Sequence, residues 1–131
     1  MERLKRRADF LNAAKGVRVQ AGSFLIQARD RRDRSSPRVG FTITKKTGNA
    51  VERNRIRRRL RAAAGSVIPQ AGRVGFDYVI VARRSALSSP FDAMLADLEG
   101  ALSRVHERKS GPAPARPARP KAPAGDGEQD D

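Results

Sequence analysis

The segment AVERNRIRRRLRAAAGSV, residues 50–67, limits the fold more than any other part of the chain. Ile56, Leu60, Ala63 and Val67 recur at i, i+4, i+7 and i+11, the spacing of one helix face. Around them stand six arginines: Arg53, Arg55, Arg57, Arg58, Arg59 and Arg61. A helix with so narrow an apolar stripe can bury only one side. It must dock on a sheet along that stripe and leave the rest in water. Asn49 and Glu52, three residues apart, form a capping box that fixes the helix start.

Those arginines lack acids to pair with along the helix. Glu52 is the only acid between residues 45 and 75, so the i±4 pairs that stabilise a charged helix cannot form. The whole chain carries a net charge of +14. Residues 111–131 hold three basic and four acidic side chains, which leaves +15 on residues 1–110. Such density costs self-repulsion unless a polyanion neutralises it, and a nucleic acid is the natural partner. Arginine outnumbers lysine six to none over residues 51–64. A guanidinium grips phosphate bidentately and stacks on bases, whereas an ammonium is a point charge. The chain has no helix-turn-helix pair, zinc finger or heptad repeat for reading base edges. Backbone and shape recognition remain, the way structured RNA is mostly bound. A non-enzymatic RNA-binding protein (a ribosomal protein or RNA chaperone) and a nucleoid-type DNA binder fit the composition equally well.

Several chemistries are excluded. There is no cysteine and one histidine, His106, so disulfides, thiolate catalysis and a structural zinc site are out. His106, beside Glu107 and Arg108, is expected on the surface. The acids show no metal-ligand spacing and no phosphate-binding glycine loop is present. No catalytic residue and no small-molecule substrate is therefore expected in this chain. No apolar run approaches the roughly 20 residues of a membrane span. MERLKRRADF is not followed by the apolar stretch of a signal peptide. A cytoplasmic protein with no membrane role is the expectation.

The rest of the chain supplies the sheet. Residues 4–14 predict a helix with Phe10, Leu11 and Ala14 as its apolar side, ended by Gly16. Residues 23–28 and 38–44 alternate apolar and polar like half-buried strands. The charged stretch 29–37 between them suggests an antiparallel hairpin. DYVIVA, residues 77–82, reads as an interior strand. Ser89, Pro90 and Asp92 announce a last helix, with Phe91, Leu95, Leu98, Leu102 and Val105 on one face. Phe41 and Phe91 are expected in the core. Phe10 and Phe24 could line a groove for stacked bases. Residues 110–131, rich in proline and alanine and then acidic, bear the composition of a disordered tail behind a domain of residues 1–109. The order α-β-β-α-β-α gives an α+β fold: a single small α/β sandwich, with about four strands in one sheet and helices packed against it.

The run RVGFTITKKTGNAVERNRIRRRLR, residues 38–61, resembles the signature of the bacterial ribonuclease P protein component. RLKRRADF near the start and DYVIVAR at residues 77–83 are similar to that family's opening and interior strand. The resemblance spans about residues 3–106 and implies a division of labour. The partner RNA, with bound Mg2+, hydrolyses one phosphodiester of precursor tRNA, and the protein binds that RNA and the 5′ leader. It further implies that Lys45, Lys46, Arg53, Asn54, Arg55, Arg57, Arg58 and Arg61 contact RNA. Phe10, with Lys15, Arg18 and Arg38, would border a leader groove between the first helix and the sheet. A left-handed β-α-β crossover is implied too, where sequence alone suggests the right-handed one. Ala14 and Gln27 stand where some members carry aromatics, so leader binding here would lean more on charge.

Overall fold

A computed structural model describes residues 2–110. The predicted tail lies outside the described residues, apart from Ser110, where the last helix ends. The elements are β1 (Glu2–Arg3), α1 (Arg7–Ala14), β2 (Val17–Ala21), β3 (Phe24–Asp30), β4 (Arg38–Thr42), α2 (Ala50–Ala71), β5 (Phe76–Ala82) and α3 (Phe91–Ser110). Short 3-10 turns at Lys45–Thr47 and Arg84–Leu87 follow β4 and β5. One five-stranded sheet runs in the order β1-β4-β5-β3-β2. The α+β class holds, but the strand count and order differ from those read in the sequence.

The expected hairpin between residues 23–28 and 38–44 is not made. β5 lies between the two strands, antiparallel to β3 (Phe24↔Ala82 to Asp30↔Phe76) and parallel to β4 (Arg38↔Asp77 to Thr42↔Val81). β3 instead forms a hairpin with the unpredicted β2, closed by Gly22 and Ser23 between the paired Ala21 and Phe24. Gly22 sits at φ 59°, a left-handed conformation that a two-residue hairpin turn requires and glycine adopts freely. The stretch that looked like a hairpin loop is a long connection clamped by Arg31. Its guanidinium donates to Asp33, Asp77 and the hydroxyl and carbonyl of Ser35.

The sheet's two faces are covered differently. Val19, Phe24, Ile26, Val39, Tyr78 and Ile80 face α2 and α3. From α2 come Ile56, Leu60, Ala63, Ala64, Val67 and Ile68, the predicted stripe and its immediate neighbours. Met94, Leu98, Ala101, Leu102 and Val105 of α3 complete this core. Phe24 is fully buried there, which removes it as a groove aromatic. Phe91 is 38% exposed rather than core, because α3 begins at Phe91 and its inward row starts at Met94. Phe41 is half-buried and packs on the core.

His106 is buried, contrary to expectation. It continues the i, i+4 row Leu98–Leu102, so its ring turns inward. Its Nε2 lies 2.7 Å from the Tyr78 hydroxyl, which also accepts from the Arg73 amide at 2.9 Å. Burial, with Arg73 nearby, lowers the His106 pKa to about 4, and burial raises that of Tyr78 to about 12.

On the opposite face, α1 covers a smaller cluster of Leu4, Ala13 and Val79, flanked by Phe10 and Val81. The helix starts at Arg7 rather than residue 4, and Ala13, not Leu11 or Ala14, is its buried residue. Leu11 is 52% exposed.

Candidate nucleic-acid interface

The cationic surface is assembled where β4 and β5 end and α2 begins. Asn49 caps α2: its side chain accepts from the Glu52 amide at 2.8 Å, and Glu52 accepts from the Asn49 amide at 2.9 Å. This predicted capping box has an unforeseen third member. Arg84, in the turn after β5, donates to both Glu52 carboxylate oxygens at 3.0 and 2.8 Å and to the Thr47 carbonyl at 3.2 Å. That bond, with the Asn49 amide, holds the Glu52 pKa down to about 2. The acid within the arginine segment therefore recruits another arginine rather than neutralising one in its own helix. Gly48 leaves room for this contact, since a Cβ there would sit 2.6 Å from Glu52 Oε1 and 3.0 Å from Arg84 Nη1.

Beyond the cap, Lys45, Lys46, Asn54, Arg55, Arg58 and Arg61 are exposed, while Arg53 and Arg57 are half-buried. Arg57 donates to Asn54 Oδ1 at 3.0 Å, which orients both side chains on the outer surface. Arg59 is different: its guanidinium donates to the Ser89 carbonyl and ties α2 to the start of α3. A helix N-terminus carries partial positive charge, and the lysines and the α2 arginines add to it, so positive charge is concentrated at this end of the molecule. Arg84 was missed because DYVIVARR reads as a strand with a basic end; only the fold brings it 32 positions back to Glu52.

The other predicted residues lie across the sheet. Register places Arg38, Gly40 and Thr42 of β4 on the face that α1 covers, opposite Asp77, Val79 and Val81 of β5. Phe10 lies half-buried over Gly40, and a Cβ on Gly40 would stand 2.6 Å from the ring. Lys15 and Arg18 are exposed near the C-terminal end of α1. Arg38 is engaged: it donates to both oxygens of the buried Asp77 at 2.8 and 2.9 Å, and its Nη2 is 3.6 Å from Asp9. The Asp77 bond raises the Arg38 pKa. Thus Lys45, Lys46 and the α2 residues come together on one side, and Phe10, Lys15, Arg18 and Arg38 on the other.

Among the described residues no group of three or more His, Cys, Asp or Glu side chains is placed to hold a metal ion. Nor is any helix among them long and apolar enough to cross a membrane.

Comparison with known proteins agrees with this architecture. A model of the Ribonuclease P family matches residues 1–106. The ribonuclease P protein component of Ruegeria pomeroyi is 51% identical over 109 residues, covering 81% of this chain and 87% of the relative. That of Paramagnetospirillum magneticum is 46% identical over 110 residues, covering 80% and 83%. Among solved structures, the RNase P protein from Thermotoga maritima superposes with a TM-score of 0.68 at 27% identity, over 80% of this chain and 98% of that one. A Staphylococcus aureus RNase P protein mutant gives 0.68 at 28% identity, over 79% and 87%.

Proposed function

Because this chain belongs to the ribonuclease P protein family, the protein subunit of an endoribonuclease whose catalytic role sits in RNA, we propose that its two sides hold two different RNAs. Lys45, Lys46, Arg53, Asn54, Arg55, Arg57, Arg58 and Arg61 bind the catalytic RNA, and Arg84, paired with Glu52, holds the start of α2 in place. The groove between α1 and the sheet, bordered by Phe10, Lys15, Arg18 and Arg38, takes the 5′ leader of precursor tRNA. The observation that supports this reading best is the arginine surface of α2, displayed outward by a stripe that docks on the sheet. Fixed positive charge there reduces repulsion between RNA backbones and so strengthens binding of substrate and metal ions.

Ribonuclease P is a metal-dependent ribonucleoprotein. We assign its Mg2+ mainly to the RNA. The same reading takes residues 1–109 as the RNA-binding domain, residues 110–131 as a tail outside it, the cytoplasm as the compartment, and a left-handed sense for the β4–α2–β5 crossover. A reconstitution assay tests it. Adding the protein to a bacterial ribonuclease P RNA and precursor tRNA at low Mg2+ should restore cleavage at the mature 5′ end. Protein free of RNA should cleave nothing. Cleavage by nuclease-treated protein alone, or no rescue of the RNA, would overturn it.

A further inference from the structure

Arg38 was expected to touch the leader, but its guanidinium is already committed. It chelates Asp77, which is fully buried, and reaches from there to Asp9 on α1. Asp9 is next to Phe10 in α1, and Arg38 is two residues from Gly40 on the same face of β4. These two neighbouring pairs dock against each other, the carboxylate on the guanidinium and the ring on the bare glycine backbone. The ring packs closely on the strand at Gly40, and the ion pair joins the same turn of α1 to β4. The Asp9–Arg38 contact is part-exposed, with side chains 17% and 27% accessible. It can therefore be altered without opening the core.

We propose that Asp9, through Arg38 and Asp77, is a positioning residue that sets the place of the Phe10 ring at the groove wall, and so the preference for substrates that carry a leader. This rests on the leader-groove reading above. Arg38 then acts by holding α1 rather than by meeting the leader phosphates, which fall to Lys15 and Arg18.

The test uses the full chain reconstituted with ribonuclease P RNA, and two probes: precursor tRNA and the same tRNA without its leader. Asp9→Asn removes one charge and should lower the ratio of precursor to mature affinity about three- to tenfold, part of what one stacked base contributes. Asp9→Glu, which keeps the carboxylate, should retain most of that ratio. Gly40→Ala puts a methyl where the ring lies and should lower the ratio by an independent route. In a Phe10→Ala background, Asp9→Asn should add less than about a twofold change, because coupled residues are not additive. If Phe10→Ala lowers the ratio and Asp9→Asn does not, or if Asp9→Asn weakens both tRNAs equally, the positioning role is overturned while the groove stands. If Phe10→Ala itself leaves the ratio unchanged, Phe10 is no part of the groove wall, the leader is held by charge alone, and the inference is overturned.

Discussion

Alternate residues of β5 meet two different environments. Phe76, Tyr78, Ile80 and Ala82 face α2 and α3, where large apolar side chains close over them. Asp77, Val79 and Val81 face α1, where the cover is one eight-residue helix, a small apolar cluster and an ion network of Asp77, Arg38, Arg31 and Asp9. The first face holds the domain together and can be changed only at a cost in stability. The second is organised by charge and is left partly open at Thr42, Val81 and Gln27.

The contrast can be broken most forcefully at Asp77. Asp77→Ala leaves Arg31 and Arg38 without their shared buried partner and should cost about 3–5 kcal/mol in chemical denaturation. A loss under about 1 kcal/mol would mean that water already screens this network. Leu60→Ala, in the apolar face, should cost about 2–5 kcal/mol through lost burial and a cavity. Leu11→Ala, on the exposed side of α1, should change stability by no more than about 0.5 kcal/mol. Similar losses at the two leucines would mean that Leu11 is packed rather than exposed.

A pH titration sharpens the comparison. The folded pKa of His106, about 4, is below the ordinary 6.5, so the unfolded chain takes up the proton first. The stabilisation is complete above about pH 6.5 and is lost as pH falls from there through 4. At the shift given, up to about 3 kcal/mol is at stake. The folded-state midpoint should be flat above neutrality and fall below it, and His106→Gln should remove the slope between pH 6.5 and 4.5. An unchanged slope in that variant would assign the effect to other groups.

The apolar stripe of α2, its capping box and the interior strand were legible in the sequence because each is a local pattern. Asn49 and Glu52 are three residues apart, and Ile56 to Val67 repeats at one period. The pairing of strands was not legible, since β3 and β4 look like a hairpin until β5, far along the chain, is placed between them. Val17–Ala21 alternates well enough to be a strand, and Gly22–Ser23 is the turn that pairs it with β3. The buried His106 was signalled by the Leu98–Leu102–His106 row, against a misleading charged neighbourhood. At the interface, the exposed α2 residues follow from the helical wheel. The ties of Arg84 to Glu52 and of Arg38 to Asp77 are tertiary and leave no trace in local sequence.

If α2 lays its outer surface against the catalytic RNA, the salt dependence of that binding must carry its arginines. The slope of log K against log salt should be measured for the full chain and for Arg57→Ala with Arg61→Ala, with folding checked by circular dichroism. Each lost phosphate contact removes about 0.7–0.9 from the slope. The double variant should bind more weakly, with a slope shallower by about 1.5. An unchanged slope in a folded variant would contradict α2 as the RNA contact.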